Sequence, residues 1–432
     1  MKVGVIGTGY VGLVTGTCFA NLGNYVICAD NDKKKIDSLV KGKIPIYEPG
    51  LDEMVVHNAK LKRLSFTTSI KKVVDNCEII FIAVGTPAKK NGEADLSFVK
   101  AVAKQIAKYL FSYKVIVEKS TVPVETGELV KRMIARYTRK NIEFDVASNP
   151  EFLREGTAIK DFLNPDRIVI GVSSKRAENL LKKLYASLKA PILVTDVKSA
   201  EIIKHASNSF LATKISFINA VSNICEKVNA DILKVAEGMG MDKRIGKQFL
   251  SAGIGFGGSC FPKDVDAFIN ISKKLGYDFG LLEEVRRVNK RQIEVFVSKI
   301  RSNLKVLKNK TIGLLGLAFK PETDDMREAA SLKVIDWLKT RNVKVKVFDP
   351  KAMPRTKTIL KGVKFCKDAY ELAKGCDCIL IITEWDEFKQ LDLSRIKKVM
   401  KQSLIIDGRN IFDQKMLKKA GFKYISTGRG RQ

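Results

Sequence analysis

Short apolar runs separated by amphipathic stretches set the pattern of the N-terminal part of the chain. Val3 to Ile6, Tyr25 to Asp30, Glu78 to Val84 and Val115 to Thr121 are such runs. With helical periodicity between them, they predict parallel strands joined by crossover helices, because a strand covered on both faces has no polar side to show. A doubly wound sheet is expected. Between Ser199 and Val228 the spacing changes. Ile203, Ala206, Phe210, Ile218, Val221 and Cys225 recur at intervals of three, four or their multiples, the stripe of one long helix. Such a helix is longer than one small domain needs, so it is expected to link two domains and to offer a face to a second subunit. Past Lys310 the alternation resumes with TIGLLGLAF, VKVFDP, CDCILIITEW and SLIIDGR, which predict a second parallel-sheet domain.

At 432 residues the chain has room for two or three domains, at roughly 150 residues per domain. No apolar stretch approaches the roughly 20 residues that span a bilayer, so a cytoplasmic protein without a membrane partner is expected. The eight cysteines are scattered without the spacing of a disulfide framework. Cys376 and Cys378 make only a C-x-C inside a strand-like run, poor geometry for zinc, and no metal is expected. The formal charge of +30 admits two readings, a nucleic-acid footprint or a lysine-rich solvated surface. Lysines recur throughout, including Lys33 to Lys35 and Lys418 to Lys419, with neither a long basic tail nor a nucleic-acid motif. That distribution favours the solvated surface over a dedicated nucleic-acid partner. The same field draws anionic substrates and cofactors.

Gly7, Gly9 and Gly12 form G-T-G-Y-V-G directly after the first strand, with Tyr10 and Val11 opening a helical segment. In this context the first glycine permits the tight turn, the second lets the backbone approach a pyrophosphate, and the third lets helix and strand pack closely. The helix N-terminus adds N–H groups and the positive end of its dipole. Asp30 closes the second strand, where a carboxylate accepts hydrogen bonds from ribose hydroxyls and repels a 2'-phosphate. The cofactor expected is therefore NAD rather than NADP, on a Rossmann-like domain. Val84-Gly85-Thr86-Pro87 and Ser120-Thr121-Val122 end later strands on the same carboxyl edge.

Gly253-Ile254-Gly255-Phe256-Gly257-Gly258-Ser259-Cys260-Phe261-Pro262-Lys263-Asp264 has the composition of a reactive-cysteine loop. So many glycines cost conformational entropy, tolerated where backbone comes close to a ligand. A cysteine beside Lys263 and at the start of a helix has its thiolate favoured by positive charge. The other seven cysteines read as core. Upstream, Asn149 is suited to cap and Pro150 to open a helical turn that would place Glu151 and Glu155 on one face. Lys204 and Asn208 share the same four-residue separation on the long helix. Taken singly, each pair reads as a solvated helix face, the usual place of such charges.

Taken together, G-T-G-Y-V-G, V-G-T-P, S-T-V-P, N-P-E-F-L-R-E-G, K-x-x-x-N, G-F-G-G-S-C-F-P-K-D and F-K-P-E-T-D-D-M-R-E closely resemble the UDP-glucose 6-dehydrogenase family, in that family's order. One departure is Gly85, where many relatives carry a larger polar residue. The resemblance implies an α/β fold of two doubly wound Rossmann-like domains joined by a central helical domain with a long helix. Its expected divisions are an NAD-binding domain at 1–196, a helical domain with substrate site and dimer contact at 197–300, and a UDP-binding domain at 301–432. It also implies conversion of UDP-glucose to UDP-glucuronate with reduction of two NAD, by at least a homodimer.

Carried over motif by motif, the resemblance makes Cys260 the nucleophile, Lys204 an acid/base and oxyanion stabiliser with Asn208, and Asp264 a partner in the first deprotonation. Glu151, with Thr121 ordering water, serves thioester hydrolysis. The implied NAD contacts are Gly7, Gly9, Tyr10, Val11, Gly12, Asp30, Lys35, Thr86, Thr121, Glu155, Lys263 and Arg327. The implied substrate contacts are Glu151, Phe152, Leu153, Lys204, Asn208, Gly255, Phe256, Gly257, Lys320 and Arg409, with Arg244 reaching the neighbouring subunit's substrate. Two alternatives stand beside this reading. One is a GDP-mannose or other UDP-hexose 6-dehydrogenase sharing the cysteine chemistry, and the other, from a different class, is a basic nucleic-acid-binding protein.

Overall fold

The apolar runs resolve into two sheets in the computed structural model, which describes residues 1–87, 89, 92–139 and 141–430. The chain divides into two units, Met1–Ser207 with Asp266–Tyr277, and Asn208–Val265 with Asp278–Gln432.

In the first unit the strands are β1 (Lys2–Ile6), β2 (Tyr25–Ala29), β3 (Leu64–Thr67), β4 (Ile79–Ile82), β5 (Val115–Glu118), β6 (Asp145–Ser148), β7 (Ile168–Gly171) and β8 (Ile192–Thr195). Their order is β3-β2-β1-β4-β5-β6-β7-β8. The four runs expected from the pattern are β1, β2, β4 and β5. Alternate residues of these strands enter two separate cores: Val3, Val5, Ile79, Phe81, Val115 and Val117 on one face, Ile6, Ile80, Ile82 and Ile116 on the other. Burial of both faces explains why the runs carry no polar alternation. The sheet is not wholly parallel, since β7 meets β6 antiparallel through Ser148 and Gly171 and β8 runs with β7. The strand order reverses between β1 and β4, and crevices at such switch points, outside the carboxyl ends of the strands, are where open sheets bind ligands.

In the second unit β9 (Thr311–Leu315), β10 (Lys344–Phe348), β11 (Lys364–Phe365), β12 (Cys378–Ile381), β13 (Leu404–Asp407) and β14 (Lys423–Ser426) follow the order β11-β10-β9-β12-β13-β14. Every pairing in this sheet is parallel. Both units are thus doubly wound, as expected. Cys376 and Cys378 lie in the core of this sheet. No helix among the described residues is long and apolar enough to cross a membrane.

The long helix spans Val197–Val228, and its amphipathicity is inverted relative to the expected stripe. Its buried positions are mostly polar: Glu201, Lys204, His205, Asn208, Ser209, Ser216, Asn219 and Ser222. Phe210, expected on the covered face, is 66% exposed, and Phe217 and Ile224 follow it at seven-residue intervals at 54% and 60%. Ala206 is also exposed, whereas Ile218 and Cys225 are buried as expected.

Candidate functional site

β1 delivers the chain into the glycine turn. Gly7 has φ +103°, a conformation that side chains resist, and a Cβ there would lie 2.4 Å from the carbonyl oxygen of Ala83. A Cβ on Gly12 would lie 1.9 Å from the Gly7 carbonyl oxygen, so these two glycines answer to packing. Gly9 differs. A Cβ there meets no protein atom within 4 Å, and no side chain caps the helix Tyr10–Asn21 that Gly9 precedes. The residues therefore fit a phosphate approaching the backbone at a helix N-terminus.

Asp30 is tied to this turn. Its Oδ2 accepts from the backbone N–H and the hydroxyl of Thr8, at 2.9 and 2.8 Å, and from Lys35 at 2.9 Å, while Oδ1 accepts from the Asp32 N–H. Burial alone would raise the Asp30 carboxyl, but these donors, Lys35 first, hold it below its usual range. Thr86 donates to the Thr121 carbonyl at 2.9 Å and Ser120 to the Val84 carbonyl at 2.7 Å, so the loops after β4 and β5 are bonded along the carboxyl edge.

The segment after β6 departs from expectation. Residues 149–156 form no helical turn, and the next helix begins at Ala158. The Asn149 amide is captured instead by buried partners: its oxygen accepts from Lys119 at 2.9 Å and Tyr185 at 2.5 Å, and its nitrogen donates to the Val169 carbonyl. Without that turn, Glu151 and Glu155 have no helix face to share. Glu151 is buried, accepts from Lys204 at 3.0 Å, and folds back to accept from the Leu153 N–H. The Lys204 ammonium and the Arg167 guanidinium lie over the Phe152 ring, at 5.4 and 3.9 Å from its centroid. Glu48 holds the end of this segment by accepting from the Gly156 and Ala158 N–H groups.

In the second unit Cys260 immediately precedes the helix Phe261–Lys274, and its carbonyl accepts from the Asp264 N–H. It is partly exposed, whereas the other seven cysteines are buried. Burial pushes the thiols of Cys18, Cys77 and Cys376 up to about 12, which keeps them inert. Asp264 is fully buried and accepts from Asn208 and from Lys263, each at 2.6 Å.

The glycines of this loop answer to the protein itself. A Cβ would meet Asn289 at Gly255, the Glu328 carbonyl at Gly257 and the Phe319 ring at Gly258, all under 3.0 Å. Asn289 clasps the Phe256 backbone by accepting from its N–H and donating to its carbonyl. Arg409 donates to the Gly255 carbonyl, and Gly258 to the carbonyl of Arg327, whose side chain pairs with Asp325. Lys320 lies 5.6 Å from the Phe319 centroid. Arg244 stands apart, its side chain 89% exposed and paired with Asp242.

Lys119, Asn289, Arg167 and Glu48 escaped the sequence reading. A signal for Lys119 was available, because a charged Glu118-Lys119 pair closes an otherwise apolar strand. Nothing local marks Asn289, which sits mid-helix within Gly280–Leu304.

Residues 1–189 match the NAD binding domain of the UDP-glucose/GDP-mannose dehydrogenase family, residues 198–291 its central domain, and residues 313–414 its UDP binding domain. The chain is 51% identical over 429 residues to the UDP-glucose 6-dehydrogenase TuaD of Bacillus subtilis (strain 168), covering 99% of this chain and 93% of that protein. Among solved structures, a UDP-glucose dehydrogenase from the archaeon Pyrobaculum islandicum superposes with a TM-score of 0.93 at 39% identity, over 100% of this chain and 98% of that one. A UDP-D-ManNAc dehydrogenase from Pyrococcus horikoshii does so with a TM-score of 0.89 at 28% identity, over 99% of each chain.

Proposed function

Because the chain belongs to the UDP-glucose/GDP-mannose dehydrogenase family, we propose that it oxidises the primary alcohol of UDP-glucose to the carboxylate of UDP-glucuronate, passing four electrons to two NAD. The observation that carries this reading is the setting of Cys260. It is the partly exposed thiol among eight, it opens a helix, and the fully buried carboxylate of Asp264 follows one turn later.

NAD, when bound, accepts a hydride in each of the two oxidations. Gly7, Gly9, Gly12, Asp30 and Lys35 would hold its adenosine and pyrophosphate portions, with Tyr10, Val11, Thr86, Thr121, Glu155, Lys263 and Arg327 completing its contacts. In the first oxidation Asp264 takes a proton from the Lys204 ammonium, the amine so formed takes the hydroxyl proton as hydride leaves the carbon, and an aldehyde results. An aldehyde carbon lacks the oxyanion that drives hydride departure, so the Cys260 thiolate adds to it. The new C–S bond leaves a tetrahedral thiohemiacetal whose oxygen is stabilised by Lys204 and Asn208. Loss of the second hydride collapses it to a thioester. Glu151 then takes a proton from a water ordered by Thr121, the resulting hydroxide adds to the acyl carbon, and the C–S bond breaks to release thiolate and a carboxylic acid that loses its proton to solvent as carboxylate. Phe152, Leu153, Gly255, Phe256, Gly257, Lys320 and Arg409 would hold the nucleotide sugar.

We place the reaction in the cytoplasm and in a homodimer, with Arg244 reaching the neighbouring subunit's substrate. The exposed Phe210, Phe217 and Ile224 stripe supports a second copy as the cover of the long helix.

The test is the yield of NADH per mole of nucleotide sugar, followed by absorbance with UDP-glucose, GDP-mannose and UDP-N-acetylmannosamine. Two moles per mole with UDP-glucose alone is the expected result, and no NADH from UDP-glucose overturns the assignment. Cys260→Ser should bind NAD yet fail to complete the second oxidation. A normal two-NAD yield from that variant removes the covalent route.

A further inference from the structure

We propose that Lys119 is a positioning residue for the hydrolytic step, its buried charge holding Glu151 in the ionised form in which it accepts a proton from water. This inference rests on the role given to Glu151 above.

Lys119 follows β5 at the carboxyl edge of the first sheet and is 5% exposed. Its ammonium donates to the Asn149 amide oxygen at 2.9 Å, which also takes the Tyr185 hydroxyl. Asn149 stands two residues before Glu151, whose carboxylate is already paired with Lys204. The charged groups facing Lys119 are Glu151 from the loop after β6 and Lys204 from the long helix, and the helix Lys175–Tyr185 contributes the Tyr185 phenol. Other titratable groups on the same elements turn elsewhere. Glu118 is set against Glu201, Glu201 accepts from the backbone of Glu125 and Gly127, and His205 meets the Val122 carbonyl.

The Lys119 ammonium, bonded to Asn149, therefore acts at a distance on a carboxylate that Lys204 already pairs. A donor to Asn149 needs no charge, and a glutamine would supply it without the desolvation that a buried lysine incurs. The excess positive charge has a use if Glu151 must stay ionised although buried, because a second nearby cation favours its charged form. Burial lowers Lys119 itself to about 8, with Lys204 adding to the effect and Glu151 opposing it. Lys119 thus remains cationic throughout the acid range.

The experiment compares wild type with Lys119→Gln, Lys119→Arg and Glu151→Gln in the full-length protein, measuring kcat against pH and the mass of covalent adduct on Cys260 under saturating UDP-glucose and NAD. Lys119→Gln should shift the acidic limb of kcat upward by about one pH unit, roughly a tenfold loss of kcat on that limb. KM should change little, and acyl-enzyme should accumulate at low pH. Lys119→Arg should keep the limb at its wild-type position. An unmoved limb in Lys119→Gln, while Glu151→Gln accumulates acyl-enzyme, overturns the role of Lys119 and leaves that of Glu151 intact. If Glu151→Gln shows no adduct, the underlying assignment of Glu151 fails instead. If Lys119→Gln loses NAD binding as well as turnover, the residue is structural and the proposal falls.

Discussion

Adding a single methyl group at Gly9 and at Gly12 should separate cofactor binding from folding within one turn. At Gly12 the new Cβ lies 1.9 Å from the Gly7 carbonyl oxygen and 3.1 Å from the Ala83 Cβ. Ordinary contact needs more than 3 Å to that oxygen, so the helix or the turn must retreat by about 1 Å in a region of close packing. The obstacle is backbone rather than a flexible side chain, which puts the cost at the upper end of overpacking, about 3 kcal/mol. For a unit of this size that corresponds to a fall in Tm of about 6–12 °C. Gly9→Ala meets no protein atom within 4 Å, and its φ of −77° and ψ of −168° suit alanine. Only the preference for glycine over alanine at an N-cap opposes it, about 0.5–1 kcal/mol. If the Gly9 backbone approaches a pyrophosphate, the same methyl should raise the Kd for NAD at least about tenfold. Thermal unfolding without cofactor, paired with calorimetric titration of NAD, reads both quantities. Wild-type NAD affinity in Gly9→Ala refutes the proposed approach of the phosphates, and an unchanged Tm in Gly12→Ala refutes the packing argument.

Three further outcomes follow from named contacts. Asp30→Ala removes the acceptor of Thr8, Asp32 and Lys35 and should weaken NAD at least about tenfold in a fluorescence titration. Because the Asp30 carboxyl is held below its usual range, its contribution to stability is present above that range and is lost as pH falls through the lowered value. Glu201 behaves oppositely, for burial pushes it up to about 7 against the hydrogen bonds from Gly127 and Glu125. Its contribution is full below the usual carboxylate range and is lost as pH rises from there to about 7, so Tm should fall from roughly pH 4.5 to 7 and level off above it in wild type, and fall less in Glu201→Gln. Phe217→Glu places a charge on the exposed stripe of the long helix and should yield monomers by sedimentation velocity, with Tm at low protein concentration little changed. Persistent dimers would show that this face is not the contact.

Much of the fold was legible because the cores of β1, β4, β5, β9, β12 and β13 are covered on both faces, which writes an unbroken apolar run into the chain. The reversal at β7 was not, since a parallel and an antiparallel strand with both faces buried carry the same pattern. The two-residue β11 lies below any periodicity. At the candidate site, Cys260 and Asp30 stand out as candidates because residue type and neighbours coincide in one segment. The cause of the glycines was not. Gly9 and Gly257 read alike in sequence, yet one meets open space and the other its own chain's carbonyl.

The long helix shows why period alone could not reveal which face is used. A polar stripe and an apolar stripe on opposite sides repeat at the same interval, and counting apolar positions finds the period without knowing which side is covered. Burying the polar side has a condition, because each buried group needs a partner. The helix meets it with partners far away in sequence: Glu201 takes the N–H groups of Glu125 and Gly127, Lys204 takes Glu151, Asn208 takes Asp264, Ser216 takes the Val285 carbonyl and Asn219 takes the Gly253 N–H. An ordinary packing helix gains nothing from such a face, since apolar residues would fill the same volume without desolvating charge. A helix that presents an ammonium and an amide one turn apart, each fixed by a carboxylate, is built to hold charge in place. With the covered side given to polar groups, the apolar Phe210, Phe217 and Ile224 fall on the exposed side.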